Sequence, residues 1–168
     1  MIYELTVTQF SKMLKNLDLI LEKSAQYAEA KKIEVDVLLQ SRLAPDQFNL
    51  IRQIQIACDS AKIGVAKLTA KDAPVHDDKE ITLPQLRRRI AETISFISSV
   101  SEKDFAGANE KRITTPRWEG KSLSGYEYLI QHTMPNVYFH ITVAYEILRH
   151  NGLEIGKKDY LGPLPFKG

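Results

Sequence analysis

The sequence predicts an all-α domain built as a bundle of four long helices. Apolar residues recur at helical spacing in four separate stretches. Only 8 glycines and 7 prolines are spread over 168 residues, too few for a turn-rich β fold. That length suits one domain, residues 1–168, large enough to bury a substantial core. A hydrophobic share of 43% and a charged share of 26% are ordinary for a globular chain.

The first helical stretch opens at "TVTQ", where Thr6 and Gln9 have the spacing of a capping box. Phe10, Met13, Leu14, Leu17, Ile20, Leu21, Ala25 and Ala28 then make one apolar face, down to about Lys31. After a loop containing Pro45, the second stretch runs from about Asp46 to Ala70. Ile51, Ile54, Cys58, Ala61, Val65 and Leu68 share a face, with Ile56 and Ile63 nearly opposite, which predicts a helix buried on two sides. "KDAPVHDDKE", Lys71 to Glu80, reads as a polar surface loop that leaves His76 exposed.

The third helix has its own capping box, "TLPQ", with Thr82 as cap and Pro84 tolerated in the first turn. Leu83, Leu86, Ile90, Ile94 and Ile97 form its stripe. The only basic cluster, Arg87 to Arg89, lies within this helix, so its side chains point in different directions and form a solvated face. With a net charge of only +2, no nucleic-acid partner is expected.

From Lys103 to Ser124 the helical period is lost. "RITTPRWEGKSL" has two β-leaning pieces around a glycine-containing turn, which predicts a short β-hairpin between the third and fourth helices. Trp118 and Arg117 either anchor that loop or rim a pocket. The fourth helix runs from about Gly125 to His150 and stops at Asn151-Gly152. Pro135, in its interior, should kink or locally unpair it. In the tail, Lys157, Asp159 and Tyr160 should pin the chain end across the bundle.

No apolar run reaches the roughly 18–20 residues of a membrane span, and the N-terminal stretch has no secretory-signal pattern. One cysteine, Cys58, excludes an internal disulfide and a cysteine-rich zinc site. A cytoplasmic protein is the expectation.

On the fourth helix, Leu129, Thr133, Asn136, Val137, His140, Val143, Ala144 and Ile147 fall in one core-facing sector. Asn136 and His140 are the anomalies, because a buried polar group without a partner costs a few kcal/mol. They either hydrogen-bond across the bundle or line a metal or catalytic pocket, since residues at i and i+4 can reach one ion together.

"MPNVYFHITVAYEILRHNG", Met134 to Gly152, followed by "IGKKDYLG", Ile155 to Gly162, resembles the signature of the domain of unknown function 1993 family, within the DinB/YfiT-like superfamily. The similarity runs through "QIQIACDSAK" and "TTPRWEGKSLSGYEYL" and covers nearly the whole chain. The resemblance implies a DinB/YfiT-like four-helix bundle and a homodimer. It also implies a divalent metal, zinc or nickel, held by one histidine on the second helix and an H-x-x-x-H pair on the fourth, serving hydrolase- or thiol-transferase-type chemistry.

By spacing, that pair falls on Asn136 and His140, with His132 one turn earlier. The second-helix histidine has no counterpart; Gln55 or Asp59 is the nearest stand-in. The expected metal set is therefore His140, Asn136, His132 and Gln55. His140 would be a ligand or general base, and Asp59 would orient or assist it. Such a set should hold zinc or nickel weakly. The alternative is a bundle that has lost the metal and binds a small-molecule ligand or a protein partner.

Overall fold

The computed structural model describes residues 1–168. Its first long helix, α1 (Gln9–Lys31), is entered through a π-helical turn, Glu4–Thr8. The helix therefore begins before the expected capping box. Thr6 is buried inside the turn, and its hydroxyl donates to the Ile2 carbonyl at 2.7 Å instead of capping. A threonine turned back on the i−4 carbonyl competes with the backbone ladder, which here widens to π spacing. Lys32, in the left-handed conformation at φ 56°, ends α1.

A short helix that the pattern did not foretell, α2 (Val35–Gln40), crosses next and buries Leu38 and Leu39. The second long helix, α3 (Leu50–Thr69), starts later than expected because Asn49 caps it: its Oδ1 accepts from the Arg52 N–H at 3.1 Å. The face through Ile54, Cys58, Ala61 and Val65 is buried as the spacing predicts. The second apolar face is not: Ile63 is 41% exposed and Ile56 half-buried. What α3 buries on its flanks is polar instead, namely Gln53, Gln55 and Lys62.

The third long helix, α4 (Leu83–Ser98), starts at the expected place. Gln85 Oε1 accepts from the N–H groups of Ile81 and Thr82 at 2.9 and 3.1 Å. The predicted hairpin exists in its smallest form: β1 (Arg112–Ile113) runs antiparallel to β2 (Leu123–Ser124), with Arg112 opposite Ser124.

The fourth long helix is a continuous run of α5 (Gly125–Tyr128), a π-helical turn (Leu129–Thr133) and α6 (Met134–His150). Pro135 explains the break in period, since it has no N–H to offer the preceding turn. The Asn136 side chain fills in, its Nδ2 donating to the His132 carbonyl at 2.6 Å. The helix ends where the sequence indicates: Asn151 Nδ2 donates to the Ile147 carbonyl at 2.7 Å, and Gly152 takes φ 92°.

The helix α3 packs most extensively against α6, and next against α4. At Gly64 the fourth long helix comes close to α3: an added Cβ would lie 2.3 Å from the Thr133 Cγ2 in the π turn. One continuous core holds Phe10, Leu14, Leu17, Ile54, Leu86, Leu129 and Ile147, all fully buried. Each such side chain contributes about 1.5–3 kcal/mol of burial. The tail carries α7 (Lys157–Leu161), pinned to α1 by a Lys23–Asp159 ion pair at 2.5 Å and by Asn16 Nδ2 donating to the Tyr160 carbonyl at 2.9 Å. Thr142 on α6 bonds the Tyr160 hydroxyl at 3.0 Å, so Asp159 and Tyr160 tie the tail to two helices, while Lys157 points to solvent. No helix is long and apolar enough to cross a membrane.

Candidate functional site

His140 faces α3 from the core side of α6, with 9% of its surface left exposed. Its Nδ1 lies 2.7 Å from Gln53 Oε1. Gln53 Nε2 donates to the Phe48 carbonyl at 3.1 Å, so the amide oxygen is the end turned to the ring. An amide oxygen only accepts, so Nδ1 must carry the proton and Nε2 keeps its lone pair. Nε2 has no hydrogen-bond partner in the protein and is not sealed from solvent. Burial, and then the nearby Arg52 charge, push the His140 pKa below its ordinary value, so the ring is held neutral. Phe139 lies edge-on to His140 at 5.1 Å between ring centres, and Arg52 lies over the ring of exposed Phe48.

The other expected site residues do not join His140. Asn136 is half-buried and spends its amide on the His132 carbonyl. His132 lies two turns earlier, stacked on Tyr128 with ring centres 5.2 Å apart. Gln55 and Asp59 face α4, on the other flank of α3. Gln55 bridges Arg52 (3.1 Å) and Glu80 (3.0 Å), while Asp59 binds Arg89 at 2.7 Å and Lys62 at 2.9 Å. The expected orienting role of Asp59 toward His140 thus gives way to Gln53.

No group of three or more His, Cys, Asp or Glu side chains converges with metal-binding geometry. The side chains around His140 offer one imidazole lone pair and one amide oxygen already bonded to that ring. This donor set does not fit zinc or nickel, which require three or four convergent nitrogen, sulfur or carboxylate ligands. Cys58 adds nothing, since burial pushes its thiol up to about 12 and leaves no thiolate at neutral pH.

Arg88 stays on the solvated face expected from the sequence, whereas Arg89 and His76, expected to be solvated, are drawn into a second polar feature. Arg89 is only 1% exposed and sits at the centre of an ion cluster. Its guanidinium reaches Asp59 at 2.7 Å, Asp78 at 2.7 Å and Glu80 at 3.0 Å. Arg52, Gln55, Asp59 and Lys62 recur every three or four residues along α3 and form the floor of the cluster. The loop after α3 folds down over it. Lys62 Nζ donates to His76 Nδ1 at 2.5 Å, and His76 Nε2 donates to Glu92 at 3.0 Å. Burial alone would raise the Asp78 carboxyl, but hydrogen bonds from Arg52 and Arg89 outweigh it and hold that group below its usual range. Arg87 and Arg88 are also paired, with Asp18 and Glu92 respectively.

Sequence reasoning missed Gln53 and took Gln55 instead as the glutamine facing His140, as a metal ligand. Two residues apart on a helix, they lie about 200° apart, on opposite flanks of the apolar face. The composition of α3 marks both as buried-glutamine candidates. Only the bundle's arrangement shows that Gln53 looks at α6 and Gln55 at α4.

Residues 2–161 match the model of a family described as Domain of unknown function (DUF1993). Among solved structures, the chain is similar to a DinB family member protein from Shewanella denitrificans. The two are 61% identical, the match covers 100% of this chain and 96% of that one, and the TM-score is 0.98. No curated protein matches the chain.

Proposed function

We propose, from the premise that the chain belongs to the DUF1993 family, that it is a small-ligand-binding DinB-type bundle whose centre works without a resident metal. The centre is the His140–Gln53 couple between α6 and α3. One observation carries this reading: Gln53 fixes the Nδ1–H tautomer and leaves the Nε2 lone pair of a neutral imidazole without a protein partner. A lone pair in that state, open to solvent beside a largely buried ring, favours a molecule carrying an O–H, N–H or S–H group. The ring accepts a hydrogen bond and does not store a proton, because burial and Arg52 both disfavour the imidazolium. The exposed rings of Phe48 and Phe139 give the apolar part of the ligand a surface to lie on. We further propose a cytoplasmic homodimer. The family's habit and the single buried thiol of Cys58 support that part.

The test uses untagged protein purified without chelators. Calorimetric titration with zinc and nickel should show no stoichiometric uptake at micromolar metal. Phenol, which has an O–H donor on an aromatic ring, should move the His140 ring proton resonances saturably, whereas anisole, which lacks the donor, should leave them almost unchanged. One-to-one uptake of micromolar zinc, lost in His140→Ala, would overturn the reading and restore a metal centre.

A further inference from the structure

The other histidine of the fourth long helix has a different setting. His132 sits in the π-helical turn Leu129–Thr133, a backbone feature that recurs at functional positions. Its ring stacks on Tyr128 at an interplanar angle of 18° and meets the Trp118 ring edge-on at 5.5 Å. Trp118 also packs edge-on against Tyr128 at 6.0 Å, so three rings hold one another in place. His132 Nδ1 is buried with no hydrogen-bond partner. The same ring borders a cavity of about 520 Å³ under the hairpin, walled by Trp118 and Leu123 and rimmed by Arg117, Lys121 and Glu119. That volume is within the span of small-molecule sites.

Burial, and then the charge of Lys67, push the His132 pKa below its ordinary value, so the ring is neutral with one donor and one acceptor nitrogen. A sealed nitrogen without a partner is less costly as a lone pair than as an orphaned N–H. The proton therefore sits on Nε2, which makes no hydrogen bond within the protein. His132 thus offers the cavity a donor, and the rim adds two cations against one acid. The tryptophan face beside them suits a flat ring.

We propose that this cavity binds a small aromatic carboxylate, its ring against Trp118 and its carboxylate between His132 Nε2–H and the Arg117 and Lys121 side chains. The site is independent of the His140 centre: it lies two turns away on the same helix, with different partners. An anchoring role for Trp118 in the hairpin accounts for the ring contacts, but not for the unpartnered imidazole or the paired rim cations.

Trp118 is the only tryptophan in the chain, so its fluorescence reports on this cavity alone. The probe is benzoate, compared with uncharged benzamide and with acetate. Benzoate should change the fluorescence saturably, with half-saturation at about 1 mM or below; benzamide should bind at least about tenfold more weakly, and acetate should do nothing. Arg117→Ala with Lys121→Ala should weaken benzoate about tenfold, through two exposed residues whose loss leaves the fold intact. His132→Gln should weaken it as well, while His140→Gln should leave it unchanged. No saturation up to about 10 mM benzoate, an equal response to benzamide, or indifference to the paired rim substitution would overturn the proposal.

Discussion

Replacing Arg89 by methionine should expose how far the loop after α3 depends on one buried cation. The guanidinium is 1% exposed and serves three carboxylates, Asp59, Asp78 and Glu80, whose side chains keep 26%, 35% and 15% exposure. Removing one partner of a buried ion pair costs about 3–5 kcal/mol. The lower end applies here. Lys62 remains on Asp59 and Arg52 on Asp78, so Glu80, the least exposed of the three, is the one left without a cation. A loss of about 3 kcal/mol follows, or a melting point about 6–12 °C lower for a chain of this length. The assay is urea and thermal unfolding at pH 7 and again at about pH 3, below the unfolded carboxylate range.

The pH dependence has a definite sign. Asp78 has a folded pKa below its unfolded one, so its contribution is present above the unfolded value and is lost as the pH falls through that value toward the folded one. The deficit of Arg89→Met should therefore shrink on acidification. Arg88→Met, which removes only an exposed pair with Glu92, should cost under about 0.5 kcal/mol. A deficit below about 1 kcal/mol at pH 7, or one unchanged in acid, would refute this account of the cluster.

Gln53→Leu leaves both the His140 Nδ1–H and the Phe48 carbonyl without a partner and should destabilise by about 2 kcal/mol; adding His140→Phe should recover part of that in urea unfolding, since both polar ends are then gone. Because the folded pKa of His140 lies below its unfolded value of about 6.5, the unfolded chain takes up the proton more readily. Stability should fall as the pH drops through about 6.5, and His140→Gln should flatten that slope in melting curves from pH 8 to pH 5. Gly64→Ala should lower stability by about 1–2 kcal/mol despite alanine's better helix propensity, because its Cβ meets Thr133 Cγ2 at 2.3 Å; Thr133→Ala should remove most of the loss.

The sequence made the bundle legible because its strongest signal, apolar residues at helical spacing, is also what holds the fold together. The face from Ile54 to Leu68 and the stop at Asn151-Gly152 needed nothing beyond local pattern. Thr6 failed as a cap because it sits one turn inside a helix that starts earlier, and the same hydroxyl serves either role. The site was legible only as far as His140, a polar residue among aliphatic ones. Its partner depends on which flank of α3 faces α6, and periodicity assigns no neighbour to a flank. For the same reason, Arg89 and His76 read as solvated. Their burial comes from a loop folding back over α3, which local pattern does not encode.

The measurement closest to the central claim is the tautomer of His140, read from long-range proton–nitrogen NMR correlations on protein labelled with nitrogen-15 histidine. The expected spectrum at pH 7 shows a neutral ring protonated at Nδ1 and bare at Nε2, with Gln53→Leu releasing it to a mixture of tautomers. A ring protonated at Nε2, or one that titrates at or above about 6.5, would contradict a centre built on a free Nε2 lone pair.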